Sequence, residues 1–227
     1  MRKIRAATFV SLDGVIQAPG GPTEDPTGGF AFGGWVAPLW DDTVGELMGE
    51  AMVEDYDLLL GRRTYEIFAA YWPFMDDEIG RKFNAIEKYV VAGPDTPMTW
   101  TGSHRLEGDA AAAVRALKQT EGRDLLIQGS SEVIHALLAA DLIDELTVLT
   151  FPLVLGKGKR LFDDGSRPHA WTMVKTRQSA TGVVISRYER DGEVRTGSFG
   201  GDDPGEGELA RRARWARETG ETPAAWA

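Results

Sequence analysis

Two stretches of this chain join a short apolar run to a helix-like run through glycine and hydroxyl residues. The first is Leu60-Gly61-Arg62-Arg63-Thr64-Tyr65-Glu66 and the second is Ile127-Gln128-Gly129-Ser130-Ser131-Glu132. Such junctions suit phosphate, because the unpaired N–H groups and positive dipole end of a helix favour an anion. Arg62 and Arg63 add charge-assisted, bidentate contacts of the kind that would hold the extra phosphate separating NADP from NAD. The alternative for two arginines at a helix start is a pair of solvated charges. Two phosphate-suited turns at successive strand ends imply a dinucleotide lying across the carboxyl edge of a sheet. Gly61, Arg62, Arg63, Thr64, Gly129, Ser130 and Ser131 are its candidate holders, and Val91-Ala92-Gly93-Pro94 supplies a third strand end at that edge through Ala92 and Gly93. Neither a P-loop pattern nor GxGxxG is present, so a nucleoside-triphosphatase and a standard Rossmann dehydrogenase are not supported.

Trp35, Trp40, Tyr65 and Trp72 could wall a planar heterocycle by stacking, or could fill core or an interface. Lys157, Lys159 and Arg160 suit a phosphorylated substrate or a solvated basic turn. His104, His135 and His169 stand apart without metal-ligand spacing, and no metal site is expected.

The elements that would position these groups alternate. Residues 3 to 12 form a mostly apolar run short enough for a strand buried on both faces. From Gln17 to Pro38 the chain holds six Gly and four Pro and reads as a long loop, its Phe30, Phe32 and Trp35 arguing for a lid or subunit contact over disorder. Asp41 or Asp42 can cap a helix through Met52 that puts Val44, Leu47, Met48, Ala51 and Met52 on one face. Strands follow at 57–60, 88–93, 124–128 and 145–156, with helices from Thr64 to Ala70, after Asp109, and after Ser130 or Ser131. Two alternating runs around Ser179-Ala180-Thr181-Gly182 predict an antiparallel hairpin at a sheet edge. The fold class is α/β, a sheet mostly parallel with an antiparallel end. Residues 191–227 are a glycine-rich acidic tail with a short helix at 208–218, either a solvated extension or a segment that docks on a partner through Leu209 and Trp215.

Composition narrows the function. With 35 Asp+Glu against 25 Lys+Arg the formal net charge is -10, which disfavours nonspecific nucleic-acid binding. No cysteine is present, which excludes disulfides, thiolate nucleophiles and Cys-ligated metals. The start, MRKIRAATFVSLDG, lacks the apolar stretch of a signal peptide or membrane span, and the expectation is a cytoplasmic protein without membrane partners. The apolar run LTVLTFPLVL beside a potential sheet edge makes an isologous homodimer the expected assembly.

Taken in order, Ser11-Leu12-Asp13-Gly14-Val15-Ile16, Gly61 to Glu66, Gly129-Ser130-Ser131 and Pro152-Leu153-Val154-Leu155-Gly156-Lys157-Gly158-Lys159-Arg160-Leu161-Phe162 resemble the motifs of the dihydrofolate-reductase superfamily. More narrowly, residues 3 to 190 are similar to the reductase domain of bifunctional riboflavin-biosynthesis enzymes and its bacterial relatives. The resemblance implies a three-layer fold around a mixed sheet of about eight strands, with NADPH as cofactor. It implies a small heterocyclic substrate, pteridine- or aminopyrimidine-like, reduced by hydride transfer. By position it assigns Arg62, Arg63 and Thr64 to the adenosine phosphates, Gly129, Ser130 and Ser131 to the pyrophosphate, and Val15 and Ile16 to the nicotinamide side. Ser130 replaces the family's usual second glycine, and its Cβ could crowd the pyrophosphate or its hydroxyl donate to it. Asp13 is the first catalytic candidate the resemblance suggests, against a turn residue paired with Gly14. The region matching the folate reductases' acid offers Asp41, Asp42 and Glu46, none in the motif's register. The competing readings are a true dihydrofolate reductase and a catalytically silent NADP-binding dimer serving as sensor or interaction module.

Overall fold

Every strand in the first half of the chain is followed by a segment that carries it back to the same sheet edge. The computed structural model describes residues 1–53, 55–199 and 204–222, with the side chains of residue 47 and of 51–53 outside that description. Two compact units result, Met1–Glu193 and Val194–Ala227. The first contains β1 (Ile4–Ser11), α1 (Asp42–Val53), β2 (Tyr56–Gly61), α2 (Arg62–Tyr71), α3 (Glu78–Ala85), β3 (Lys88–Val91), β4 (Ser103–Leu106), α4 (Ala110–Lys118), β5 (Asp124–Ile127), α5 (Ser131–Ala139), β6 (Glu145–Phe151), β7 (Ala170–Gln178) and β8 (Val184–Gly192). The second contains α6 (Glu206–Thr219).

One eight-stranded sheet has the order β4-β3-β2-β5-β1-β6-β8-β7. The six strands from β4 to β6 run parallel, while β8 is antiparallel to both β6 and β7. Side-chain alternation divides the core between the two faces. Leu59, Leu125 and Ile127 join Val114 of α4 and Ile134 and Leu137 of α5 in one cluster. Leu58, Leu60 and Leu126 join Tyr65 of α2 and Phe83 of α3 in another. The central strands are therefore apolar on both sides, as strands covered by helices on both faces must be. A third cluster seats Phe30, Trp35 and Val36 of the long loop against Val44 and Met48 of α1 and Phe151 of β6.

Several sequence expectations need adjustment. The apolar run from Glu145 stops as a strand at Phe151, because Pro152 has no N–H for a ladder. That strand is interior, flanked by β1 and β8, and the sheet edges are β4 and β7, the latter in the antiparallel hairpin expected at an edge. His104 lies on β4, stacked on Tyr89 with centroids 5.3 Å apart, where a loop was expected. Both β4 and α3 escaped the sequence reading. Of the two aspartates before α1, Asp41 is the cap, accepting the Val44 N–H at 2.9 Å. Of the apolar face expected on α1, Val44 and Met48 are buried, whereas the side chains of Leu47, Ala51 and Met52 lie outside the described residues. The tail helix extends over Glu206–Thr219, with Leu209 and Trp215 exposed; residues 200–203 and 223–227 of the tail lie outside the described residues.

Candidate functional site

The turns after β2 and β5 lean on each other. The Gly61 N–H donates to the Gly129 carbonyl at 3.2 Å, and the Gly129–Ser130 peptide is cis. A Cβ on Gly61 would collide with the Ser130 hydroxyl and come within 3.0 Å of the Ser130 Cβ and N, while one on Gly129 would lie 2.7 Å from Thr64 Oγ1. The Ser130 side chain thus occupies room that Gly61 leaves. Each turn opens a helix whose N-cap, Gly61 or Ser130, makes no side-chain capping bond. The orphan N–H groups of two helices are left side by side, at a place suited to a diphosphate.

A cavity of about 500 Å³ opens there. Its wall is formed by Arg63, Thr64 and Gln128 to Ser131, by Ile16 to Gly20, Glu24 and Asp25, and by Lys159. Phe9, Trp40, Met48, Ile67, Phe68, Trp72, Ile79 and Phe83 extend it with apolar surface. Among the predicted residues the fold therefore brings Ile16, Trp40, Arg63, Thr64, Trp72, Gly129, Ser130, Ser131 and Lys159 together on one cavity.

The others lie elsewhere. Arg62 turns outward to Glu66, 2.9 Å away and exposed. Gly61 is buried beneath Ser130, and Ala92 and Gly93 lie outside the cavity, although Gly61 pairs in register with Val91 and so keeps Arg62 beside that strand end. Val15 is fully buried and bridged to Arg160. Tyr65 sits in the core, its hydroxyl accepting the Trp100 N–H at 3.0 Å. Trp35 is buried against Phe151 and donates to the Gln17 carbonyl at 2.8 Å. Asp42 opens α1 from an exposed position, and Asp41 is held by Val44 and Thr181 of the β7–β8 turn.

Asp13 also lies off the cavity wall. It accepts from the Ser11 hydroxyl at 2.7 Å and from the N–H groups of Leu155 and Gly156 at 3.0 and 2.8 Å. The Ser11 hydroxyl foremost, then the Leu155 N–H, pull its carboxyl from 3.8 to about 2. Charged at neutral pH, it ties the turn after β1 to the segment after β6. Asp13→Ala leaves those donors without their acceptor and is expected to cost about 1–3 kcal/mol. The sign follows from the depressed value: the carboxylate's contribution is complete above 3.8 and disappears as pH falls toward about 2. Thermal unfolding of wild type and variant should accordingly converge over that window; a gap independent of pH there would contradict the assignment.

The acids that do reach the cavity, Glu24 and Asp25, belong to none of the predicted motifs. Glu24 and Asp25 are the only charged residues between Gln17 and Pro38, which was the available signal. Glu24 Oε2 accepts the N–H groups of Gly20 and Gly21 at 2.6 and 3.1 Å. Burial nevertheless raises its pKa above the ordinary 4.5, against the pull of those two donors. Burial pushes Asp25 the same way, but Lys159 at 2.5 Å and Thr27 outweigh it and lower its pKa. Lys159, a candidate for substrate phosphate, is thereby paired inside the protein. Gln17 organises this loop. Its Nε2 donates to the carbonyls of Asp25 and Thr27 at 2.9 and 3.0 Å, and its Oε1 accepts the Lys159 N–H at 3.0 Å.

The sheet order, the helices on both faces and a cavity at the carboxyl edge define an α/β protein with the dihydrofolate-reductase-like fold. The chain belongs to the RibD C-terminal domain family, which matches residues 2–185. It is 26% identical over 204 residues to the uncharacterized protein YyaP of Bacillus subtilis (strain 168), covering 84% of this chain and 96% of that one. In structure it is similar to a putative riboflavin biosynthesis protein from Shewanella sp. PV-4, with TM-score 0.56 and 21% identity over 84% of this chain and 99% of that one. It is also similar to the dihydrofolate reductase of Enterococcus faecalis complexed with NADP(H), with TM-score 0.52 and 17% identity over 83% of this chain and 96% of that one. Among the described residues no helix is long and apolar enough to cross a membrane.

Proposed function

We propose that this protein is an NADPH-dependent reductase that transfers a hydride to a small heterocyclic substrate. The observation that carries the reading is the meeting of two uncapped helix N-termini, joined by the Gly61–Gly129 hydrogen bond, on the wall of one cavity with Arg63. This donor set fits a dinucleotide: the first turns of α2 and α5 with Arg63 take the pyrophosphate, and Ile16 takes the nicotinamide side. Arg62, paired with the exposed Glu66, takes the additional phosphate beside the Ala92-Gly93 strand end. When bound, the reduced nicotinamide supplies the hydride.

The chain's own part is to orient the acceptor, exclude water and provide a proton. Glu24 is the cavity acid whose pKa burial raises, the direction that favours a proton donor. Asp13 is a positioning residue, since it fixes the turn leading into Ile16 and the segment leading into Lys159. The 17–38 loop serves as the cavity's cover, with Gln17 and Trp35 securing it and Pro19, Gly20, Glu24 and Val36 facing the cavity.

Titration with NADPH and NADH, followed by calorimetry, tests the proposal. Saturable binding with NADPH preferred is the expected result. Absence of binding by either nucleotide would remove the reductase reading and leave only the fold.

A further inference from the structure

Helix α2 changes character along the cavity. Arg63 and Thr64 stand in its first turn, Ile67 and Phe68 follow one turn on, and Trp72 comes just past its end. At about 1.5 Å per residue, Phe68 lies about 7 Å and Trp72 about 13 Å beyond Arg63 along the axis. Phe9, Trp40, Ile67, Phe68, Trp72 and Phe83 give the cavity an extended aromatic and apolar lining. Phe9 and Trp40 have centroids 5.9 Å apart, Phe68 and Phe83 stack at 5.9 Å, and Trp72 meets Phe83 edge-on at 5.0 Å.

Few charges line the cavity. Among the described residues the charged side chains lining the cavity are Glu24, Asp25, Arg63 and Lys159. Asp25 and Lys159 are paired with each other at 2.5 Å, and Arg160, next in the chain, faces Asp13 at 3.8 Å. A dinucleotide engages Arg63, so no cation of the wall remains for a second phosphate. A phosphate buried among aromatic faces without a cation loses its hydration uncompensated, whereas a flat apolar ring gains both burial and stacking there.

We propose that the aromatic end of this cavity takes an uncharged, planar aromatic compound that carries no phosphate. The inference rests on the reductase reading for the use made of the compound and for the engagement of Arg63. Its binding can be measured separately from that reading.

The test is isothermal titration of the full chain with 2-phenylquinoxaline, a neutral planar probe, and with uridine 5′-monophosphate, a pyrimidine bearing ribose phosphate. Each is titrated with and without saturating NADP+. The expected result is that, with NADP+ present, the quinoxaline binds at least ten-fold more tightly than the nucleotide. Trp72→Leu should weaken the quinoxaline at least five-fold while leaving NADPH affinity unchanged. Trp72→Lys should abolish that preference, and circular dichroism of both variants establishes that they fold. Equal or tighter binding of uridine 5′-monophosphate to wild type overturns the inference, as does a quinoxaline affinity indifferent to Trp72→Leu. The two readings separate cleanly: NADPH binding without quinoxaline binding sinks this inference alone, and quinoxaline binding without NADPH binding sinks the reductase reading alone.

Discussion

Glu24→Gln is expected to lower turnover by two orders of magnitude or more while leaving NADPH affinity within a factor of two or so, since positioned acids contribute about 10²–10⁴-fold. The amide keeps a carbonyl oxygen to accept the Gly20 and Gly21 N–H groups, so the loop retains its anchor while the exchangeable proton is lost. Two pH readouts separate this from a structural effect. In the wild type, kcat/KM should fall as pH rises through the raised pKa of Glu24, because the acid must be protonated, and the variant should lack that limb. The stability contribution falls in the same direction. A carboxyl whose folded pKa is raised stabilises below its unfolded value of 4.5 and loses that contribution as pH rises through the folded value. Above its raised pKa Glu24 is a partly desolvated charge, so in that range Glu24→Gln should melt at the same temperature as wild type or higher. Wild-type turnover in the variant would assign the proton to water.

Arg63→Ala should weaken NADPH and NADH alike by about 10- to 100-fold, the loss of about 1.5–3 kcal/mol expected for a hydrogen bond to a charged group. The proportional effect follows from where Arg63 sits, on the cavity wall with Thr64 and Ser131, where both dinucleotides present the same pyrophosphate. Its guanidinium now donates to Thr27 Oγ1 at 3.1 Å, a neutral contact that a phosphate readily replaces. Arg62→Ala should behave differently, sparing NADH and lowering only the preference for NADPH, because Arg62 lies outside the cavity beside the β3 end. Its pair with Glu66 is an exposed i,i+4 contact worth about 0.3–0.5 kcal/mol and offers little resistance. Measuring both affinities on the two single variants decides the matter. The assignment fails if Arg62→Ala weakens both cofactors and Arg63→Ala weakens neither.

Much of the sheet was legible locally. The apolar runs at 57–60 and 124–128 end in glycine, and hydroxyl or basic residues then open a helix, so β2-α2 and β5-α5 followed from short windows. Asp41 and Asp109 announced α1 and α4 because capping is a local bond between a side chain and an N–H three residues on. Helix α3 was hidden by Gly80, a poor helix former inside EIGRKFNA. The glycine answers a close local approach, since a Cβ there would stand 2.5 Å from the Met75 carbonyl oxygen in the turn before the helix. Strand β4, with the sequence SHRL at a sheet edge, has no apolar run to betray it.

Local sequence carries the alternation of strands and helices and the phosphate-suited chemistry of two strand ends, because both rest on neighbours within a few residues. Which acid faces the cavity was decided only by the tertiary structure. Asp13 stood in a conspicuous motif and Asp41 beside a helix start, yet the fold occupies both as acceptors for N–H groups about 140 residues away, at Leu155, Gly156 and Thr181. Glu24, in a loop without regular periodicity, reaches the cavity because Gln17 draws that loop back against Lys159. A hydrogen bond spanning 142 residues leaves no periodic trace in the chain, and the burial that raises the pKa of Glu24 exists only once the loop has closed.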